Sequence, residues 1–373
     1  MFIKKIIATG IFTTSYVLSF AQDDSVSVNK DKSSTPALTI NGSADFYYKY
    51  DFAKTSANGL TSFTQTHNQF QLGMASLKAE YKASKIDAVI DLGFGKRARD
   101  FAYNDSGVLQ AVKQAYISYT PVKNLKFTAG TWFTYFGYEY TDAYQNRNYS
   151  MSYMFTTGPF SHTGVRADFT LGKHNIMVGI ANPTDYKEVP KGLVNRKTFI
   201  AQYGYAGSDR FNFFLNYVNE EIPTDTSKIN QVDAVITSKL SNWLSLGYNG
   251  TVGFRNFWDN RTSHYKGNKV WWGSALYLNA DPSKKLGITL REEYFSDKNS
   301  ETFLSPYVPY PVNGGLGGSV VASTLSFNLK LVDNLVLIPE FRIDAASQPV
   351  FVNGNGEPTK TAACFLLALT YHF

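Results

Sequence analysis

The sequence predicts an all-β fold, a transmembrane antiparallel up-and-down β-barrel of about sixteen strands with short periplasmic turns and long extracellular loops. Three observations predict it. Apolar and polar residues alternate with a period of two over long stretches, short and long connections succeed one another, and an apolar stripe ends on the last residue, Phe373.

The amino terminus comes first. Lys4 and Lys5 precede an apolar run from Ile6 to Phe20 that closes on Ser19, Phe20 and Ala21. A charged start, a short apolar stretch and a small-x-small site make residues 1–21 a signal peptide, removed before Gln22. No cysteine follows the site, so lipid anchoring there is not expected. Residues 22–36 are polar and read as a flexible periplasmic segment, and residues 37–373 as the barrel.

Composition narrows the class. The chain has 25 Tyr and 28 Phe but 1 Cys, so an exported protein of this kind is not held by disulfides. Its net charge of +6 is slight and unclustered, which argues against a nucleic-acid partner. Beyond the leader no apolar run reaches the roughly 20 residues of a membrane helix. Mean hydropathy is −0.23. Barrel strands escape both tests, because lipid-facing and lumen-facing residues alternate and average out.

The first strand shows this plainly. Leu38, Ile40, Gly42, Ala44, Phe46, Tyr48, Tyr50 and Phe52 share one face, with Thr39, Asn41, Ser43, Asp45, Tyr47, Lys49 and Asp51 on the other. Later strands repeat it. Ile86, Ala88, Ile90, Leu92 and Phe94 oppose Asp87 and Asp91, Val165 and Phe169 oppose Arg166 and Asp168, Leu290 opposes Arg291, and Leu325 and Leu329 oppose Asn328 and Lys330. Unpaired charges in a dry core would cost several kcal/mol each, so Arg166, Asp168, Arg291, Glu340, Arg342 and Asp344 are expected to face a water-filled lumen. In the second strand the apolar phase slips between Met74 and Ala75, and the fourth, near Gln114 to Tyr119, is also weak.

Connections give an independent test. Tight breaks fall at Ser84-Lys85, Pro121 to Asn124, Lys173 to Asn175, Gly207 to Asp209, Ser241-Asn242, Asp281 to Lys284 and Asp333-Asn334. Long polar stretches separate them, near 54–67, 96–110, 134–160, 183–196, 220–228, 256–268, 297–318 and 346–359. This alternation counts to about sixteen strands with both ends in the periplasm, fourteen and eighteen also being compatible. The final strand, Ala363, Phe365, Leu367, Leu369, Tyr371 and Phe373, carries an aromatic-x-Phe ending in which Tyr371 and Phe373 form an assembly signal. Pairing it with the first strand would abolish both sheet edges.

Residues that suggest chemistry have simpler readings. The five histidines (67, 162, 174, 264 and 372) lack metal-ligand spacing, so no metal and no cofactor is expected. Ser161-His162 are neighbours in a strand and point to opposite faces, leaving His162 as an entrance-lining residue. Gly93 to Gly95 and the glycines at 314, 315, 317 and 318 lack a phosphate-loop context. Cys364 is a small inward filler. Tyr138, Tyr140, Tyr149, Trp271, Trp272, Tyr294, Phe295 and Tyr371 read as interfacial girdle or loop packing, with Trp271 or Trp258 a less favoured sugar platform.

The stretch from Gly137 to Phe169 carries a family resemblance through Gly137, Glu139, Asn146, Ser150, Ser152, Pro159, His162, Thr163, Gly164 and Arg166, with Arg291 to Asp297 as a weaker second block. It resembles the signature region of the Gram-negative outer-membrane β-barrel porins common in Bacteroidetes-type bacteria, from Leu38 to the end. The resemblance implies a porin-like barrel but supplies no solute.

The expected function is a passive outer-membrane channel for small polar solutes, in contact with outer-membrane lipids, lipopolysaccharide and the assembly machinery. It is not an enzyme in this reading. A structural or adhesive barrel is the alternative, and a barrel-embedded hydrolase a weaker one. About 22 strands and a plug would be needed for an active transporter, whereas about sixteen enclose an aqueous channel. The connection 134–160 is the longest, and the third external loop of general sixteen-strand porins, which this layout resembles, turns inward. Glu139, Asp142 and Arg147 are therefore the candidate constriction residues.

Overall fold

The computed structural model of the chain describes residues 36–208, 210–259, 264–298 and 317–373. The expected signal peptide and nearly all of the expected periplasmic segment lie outside them. The chain winds through β1 (Ala37–Asp51), β2 (Gln69–Lys82), β3 (Ile86–Phe94), β4 (Val112–Val122), β5 (Leu125–Phe133), β6 (Ser161–Leu171), β7 (His174–Ala181) and β8 (Thr198–Ser208). It continues through β9 (Phe211–Glu221), β10 (Lys228–Lys239), β11 (Leu244–Asp259), β12 (His264–Ser283), β13 (Leu286–Asp297), β14 (Gly318–Val332) and β15 (Leu335–Ala346). A small hairpin of β16 (Phe351–Val352) and β17 (Pro358–Thr359) precedes β18 (Thr361–His372). Sixteen of these strands, all but β16 and β17, form one closed antiparallel barrel in which each pairs with its neighbour and β18 with β1.

Closure places Phe46 opposite Leu369 and Asp51 opposite Cys364. The Phe373 N–H donates to Gly42 O at 2.9 Å and the Phe373 carbonyl accepts from Gly42 N–H at 3.2 Å, so the last residue completes the ring of hydrogen bonds. A closed ring suits a bilayer, where an unpaired backbone group has no water to bond. Strands of 8 to 20 residues cover the 9 to 11 that a tilted crossing requires.

The alternation sorts side chains as expected. Leu38, Ile40, Phe46, Ile90, Ile117, Val165, Ile180 and Ile343 lie on the outside and are each more than half exposed, a lipid-facing surface and not a soluble one. The seven tight breaks all fall at turns between consecutive strands, although Asp209 itself lies outside the described residues.

Two expectations are corrected. The phase slip in the second strand sits one residue earlier: Asp45 pairs Met74 while Phe46 pairs Leu72, so Gly73 is the extra residue of a bulge. Glycine is required there, since a Cβ at Gly73 would lie 1.7 Å from Asp45 Oδ2 and 2.6 Å from the Tyr149 hydroxyl. The described residues of the stretch 256–268 are strand and not loop. β11 runs to Asp259 and β12 begins at His264, with Phe257 opposite Lys266. Strands that outrun the membrane meet water on both faces, so polarity there does not signal a turn.

The packed core lies inside the barrel. Inward residues from every wall strand, from Asp45 and Tyr47 through Asn216 and Arg291 to Leu366, are less than 9% exposed. What covers them is loop. The 52–68 connection enters from one side, where Tyr47 Oη donates to Phe63 O and Lys49 Nζ to Thr64 O. Helix α1 (Lys96–Phe101) in the second connection brings Phe101 against Phe133 and Phe160, while Arg97 sits between the rings of Phe63 and Tyr149, 4.7 and 4.8 Å from their centroids. The third connection, which carries helix α2 (Tyr153–Thr157), fills most of the rest.

Candidate functional site

The third connection leaves β5 and returns to β6 at the long-loop rim, where Thr134 N–H donates to Phe160 O at 2.8 Å and pinches its neck. The Asp185 carboxylate closes the joint by accepting from the Phe160 and Ser161 amides at 2.7 and 2.8 Å and from the Tyr103 hydroxyl at 3.2 Å. Burial pushes the Asp185 carboxyl up to about 7. Inside the neck the chain falls through the lumen. Tyr144 stacks on His372 beside the carboxyl terminus, at 4.7 Å, and Arg147 reaches Asp281 at the β12–β13 turn end at 2.9 Å. The segment thus spans most of the barrel's height.

It has little secondary structure of its own, so its backbone groups need other partners. The wall supplies them as charges. Glu340 accepts from the amides of Tyr149 and Ser150 at 2.7 and 3.1 Å, and Glu293 from those of Tyr153 and Met154 at 2.6 and 3.3 Å. Carbonyls are held in turn by guanidiniums, Ser150 by Arg291 at 2.7 Å and Met151 by Arg342 at 2.7 Å. Asp233 takes the amide of Gly137, whose φ of +85° is a turn conformation that favours glycine. Charge-assisted bonds are roughly twice as strong as neutral ones, which fixes an otherwise irregular segment. Burial also raises the Tyr149 and Tyr153 hydroxyls well above their usual range, so both stay protonated and donate to Asp45 at 2.5 Å and Asp344 at 3.0 Å.

The three loop charges singled out from the sequence sit inside the barrel, each beside an opposite charge of the wall. Glu139 accepts from Arg291 at 2.5 Å and from the Ser152 amide at 2.8 Å. Asp142 meets Lys113 at 2.6 Å, and Lys113 also lies 3.1 Å from Asp91. Arg147 pairs with Asp281 and donates to Thr289 Oγ1 at 2.8 Å.

Of the strand charges, Arg291, Glu340, Arg342 and Asp344 converge under the loop, Arg342 meeting Asp344 at 2.8 Å. They point inward but are dry: Arg291 is 0% exposed, so the expected water contact is replaced by loop carbonyls and Glu139. Arg166 and Asp168 lie 3.3 Å apart on the opposite arc, where Arg166 covers Trp132 at 5.0 Å. Tyr371 and Phe373 face outward at the short-turn end, away from this cluster.

Of the aromatics expected in a girdle or in loop packing, Tyr138, Tyr149, Trp271 and Phe295 are in loop packing. Tyr138 stacks on Tyr277 at 4.0 Å and Trp271 packs on Phe295 at 5.9 Å, both inside, because the loop offers them an apolar surface that an open lumen would lack. Trp272 keeps the outward position. His162 does not line an entrance: it is 1% exposed and stacks on Tyr135 at 5.1 Å. The side chain of Trp258 lies outside the described residues. Sequence reasoning missed Asp45, Lys113, Asp233, Asp281 and Glu293. Asp45, Asp233 and Glu293 stand on the inward phase of their strands, a signal that alternation carries. Lys113 shares the parity of the outward Ile117 and turns inward at a bulge opposite Asp91 and Leu92, and Asp281 stands at a turn end. Arg97, in a loop helix, has no such signal.

Open space is limited. A recess of about 60 Å³ lies between the loop and the β4–β8 wall, and a vestibule of about 310 Å³ opens at the short-turn end beside Lys78, Glu80, Lys82 and Asp142. No cluster of three or more His, Cys, Asp or Glu able to hold a metal occurs among the described residues.

Known structures share this architecture. The chain is similar to the outer membrane channel DcaP of Acinetobacter baumannii, with 12% identity, a TM-score of 0.59, and 91% of this chain and 97% of that one covered. It is similar also to an anion-selective porin from Comamonas acidovorans, at 10% identity and a TM-score of 0.59, covering 91% and 100%. The trimer form of OmpT, an outer membrane protein of Vibrio cholerae, aligns at 10% identity and a TM-score of 0.56 over 91% and 99%. At such identities the likeness is one of fold. No curated protein matches the chain. A family profile does, over residues 37–373, and with the closed sixteen-strand barrel it places the chain in the family described as "Putative beta-barrel porin-2, OmpL-like", among the porins of the Gram-negative outer membrane.

Proposed function

We propose that the chain is a passive, non-enzymatic diffusion channel for small hydrophilic solutes, in which the segment 134–160 sets the narrowest point. The observation that carries the reading is the loop held inside the barrel by wall charges, above all the contact of Glu139 with Arg291. Roughly sixteen strands enclose more space than their own side chains fill, and here a loop occupies the difference. Opposite charges around a narrow gap with low-dielectric walls form a field that sorts solutes by charge and dipole. An enzyme reading finds less support, since neither ring nitrogen of His162 makes a hydrogen bond that would pair it with Ser161.

Export by residues 1–21, insertion guided by Tyr371 and Phe373 through the assembly machinery, and contact with lipopolysaccharide belong to the same reading. Single-channel recording of the purified barrel in planar bilayers, with a panel of salts and sugars, tests it. Discrete ohmic steps are expected, and a folded barrel that produces none would refute the channel.

A further inference from the structure

The contacts that hold the loop are unevenly spread around the barrel. Charged side chains of β1, β13 and β15 grip it through backbone amides, carbonyls and the Tyr149 and Tyr153 hydroxyls. That arc is dry, with Arg291, Thr289 and Ser326 all 0% exposed. The facing arc, from β4 to β8, is built differently. Lys113 meets Asp142 of the loop there, and the inward side chains of the arc border the recess of about 60 Å³.

The chemistry of that border is distinctive. It combines the carboxamides of Gln114, Asn175 and Gln202, the ion pair of Arg166 and Asp168, and the indole of Trp132. Gln114 is bonded at both ends, to the Phe133 amide and to Asp91. Asn175 Oδ1 accepts from Thr170 and Gln202 Nε2 donates to Asn216, which leaves Asn175 Nδ2 and Gln202 Oε1 for a guest in the recess.

Resting on the channel reading, we propose that solutes cross along the β4–β8 arc and that this arc selects small uncharged polyols, with Asn175 Nδ2 as donor and Gln202 Oε1 as acceptor replacing part of their hydration. Carboxamides both donate and accept, as a hydroxyl does, so they suit a solute that carries both roles on every carbon. Arg166 and Asp168, opposite charges 3.3 Å apart, partly cancel toward a passing ion. A recess of about 60 Å³, where roughly 10 to 15 Å³ suffices for one water, holds a narrow solute and excludes a disaccharide.

The route is tested by cysteine block in the full barrel carrying Cys364→Ala. Asn175→Cys and Gln202→Cys, treated with an aqueous methanethiosulfonate, should lose conductance at least about twofold, whereas Lys330→Cys on the opposite arc should be modified without loss. Equal loss at all three positions, or none at Asn175 and Gln202, overturns the route. Selectivity is tested by liposome swelling and reversal potential. Glycerol should enter and sucrose should not, and Gln202→Leu, or Asn175→Leu if that variant fails to fold, should lower glycerol entry by a larger factor than potassium chloride conductance. Arg166→Gln should shift preference toward cations and Asp168→Asn toward anions. Unchanged glycerol entry and unmoved reversal potentials overturn the assignment. A parent barrel that passes neither ions nor glycerol instead refutes the channel reading beneath it.

Discussion

Arg291 on β13 donates to Glu139 of the inward loop at 2.5 Å and to the carbonyl of Ser150, eleven residues further along the same loop, at 2.7 Å. One guanidinium therefore ties two limbs of the loop to each other and to the wall. Both partners are buried, at 0% and 7% exposure, so neither charge has water to fall back on.

Removing one partner should be expensive. Glu139→Gln strands a buried guanidinium, and breaking such a pair costs roughly 3 to 5 kcal/mol. The folded, heat-modifiable band on gels should then disappear at a lower temperature than for the parent. Asp142→Asn should do less, because Lys113 retains Asp91 at 3.1 Å. Equal heat resistance of Glu139→Gln and the parent would show that the pair does not hold the loop.

Deleting residues 139–149 removes Glu139, Asp142 and Arg147 together and opens the lumen from the β13–β15 side. Conductance should rise severalfold in single-channel recordings. A folded deletion variant that conducts as the parent does would exclude the loop as the constriction.

Accessibility should follow both the strand register and the loop cover. Leu290→Cys and Leu325→Cys, on the outward phase, should react with lipid-soluble maleimides only, and Lys330→Cys with aqueous ones. Arg291→Cys should resist aqueous reagents until residues 139–149 are deleted. Ready labelling of Arg291→Cys in the intact barrel would mean that the loop does not cover it.

The last residue also bears on assembly. Phe373 exchanges backbone hydrogen bonds with Gly42, so deleting it removes a rung from the closing seam between β1 and β18 as well as the terminal aromatic. Folded yield in membranes should fall, and an unchanged yield would separate closure from assembly.

Asp185 gives the neck of the loop a pH dependence. Burial disfavours its charged form and pushes the folded carboxyl up to about 7, above the usual carboxylate range. The folded state thus binds the proton more tightly than the unfolded one, and the resulting stability is complete below about pH 4 and lost as pH rises through 7. Thermal midpoints of the parent should decline between pH 4 and pH 8 relative to Asp185→Asn. A constant difference across that window would contradict the assignment.

The barrel itself was written in the sequence. Period-two alternation, turn chemistry and the terminal stripe are local signals, and a strand with one face in lipid must repeat them at every crossing, so strand number and direction were legible without tertiary contacts. The inward phase of Arg166, Arg291, Glu340 and Arg342 followed from the same parity. Only the tertiary structure decided what those side chains meet. Whether Arg291 faces water or a loop depends on contacts between residues some 140 positions apart, such as its bond to Ser150, which no local period encodes. The same holds for Tyr149 and Trp271, whose aromatic character fits a lipid interface as well as a packed lumen. A strand announces its faces because lipid imposes them, whereas an irregular loop takes its course from the partners that satisfy its backbone, and here those partners are spread around the barrel.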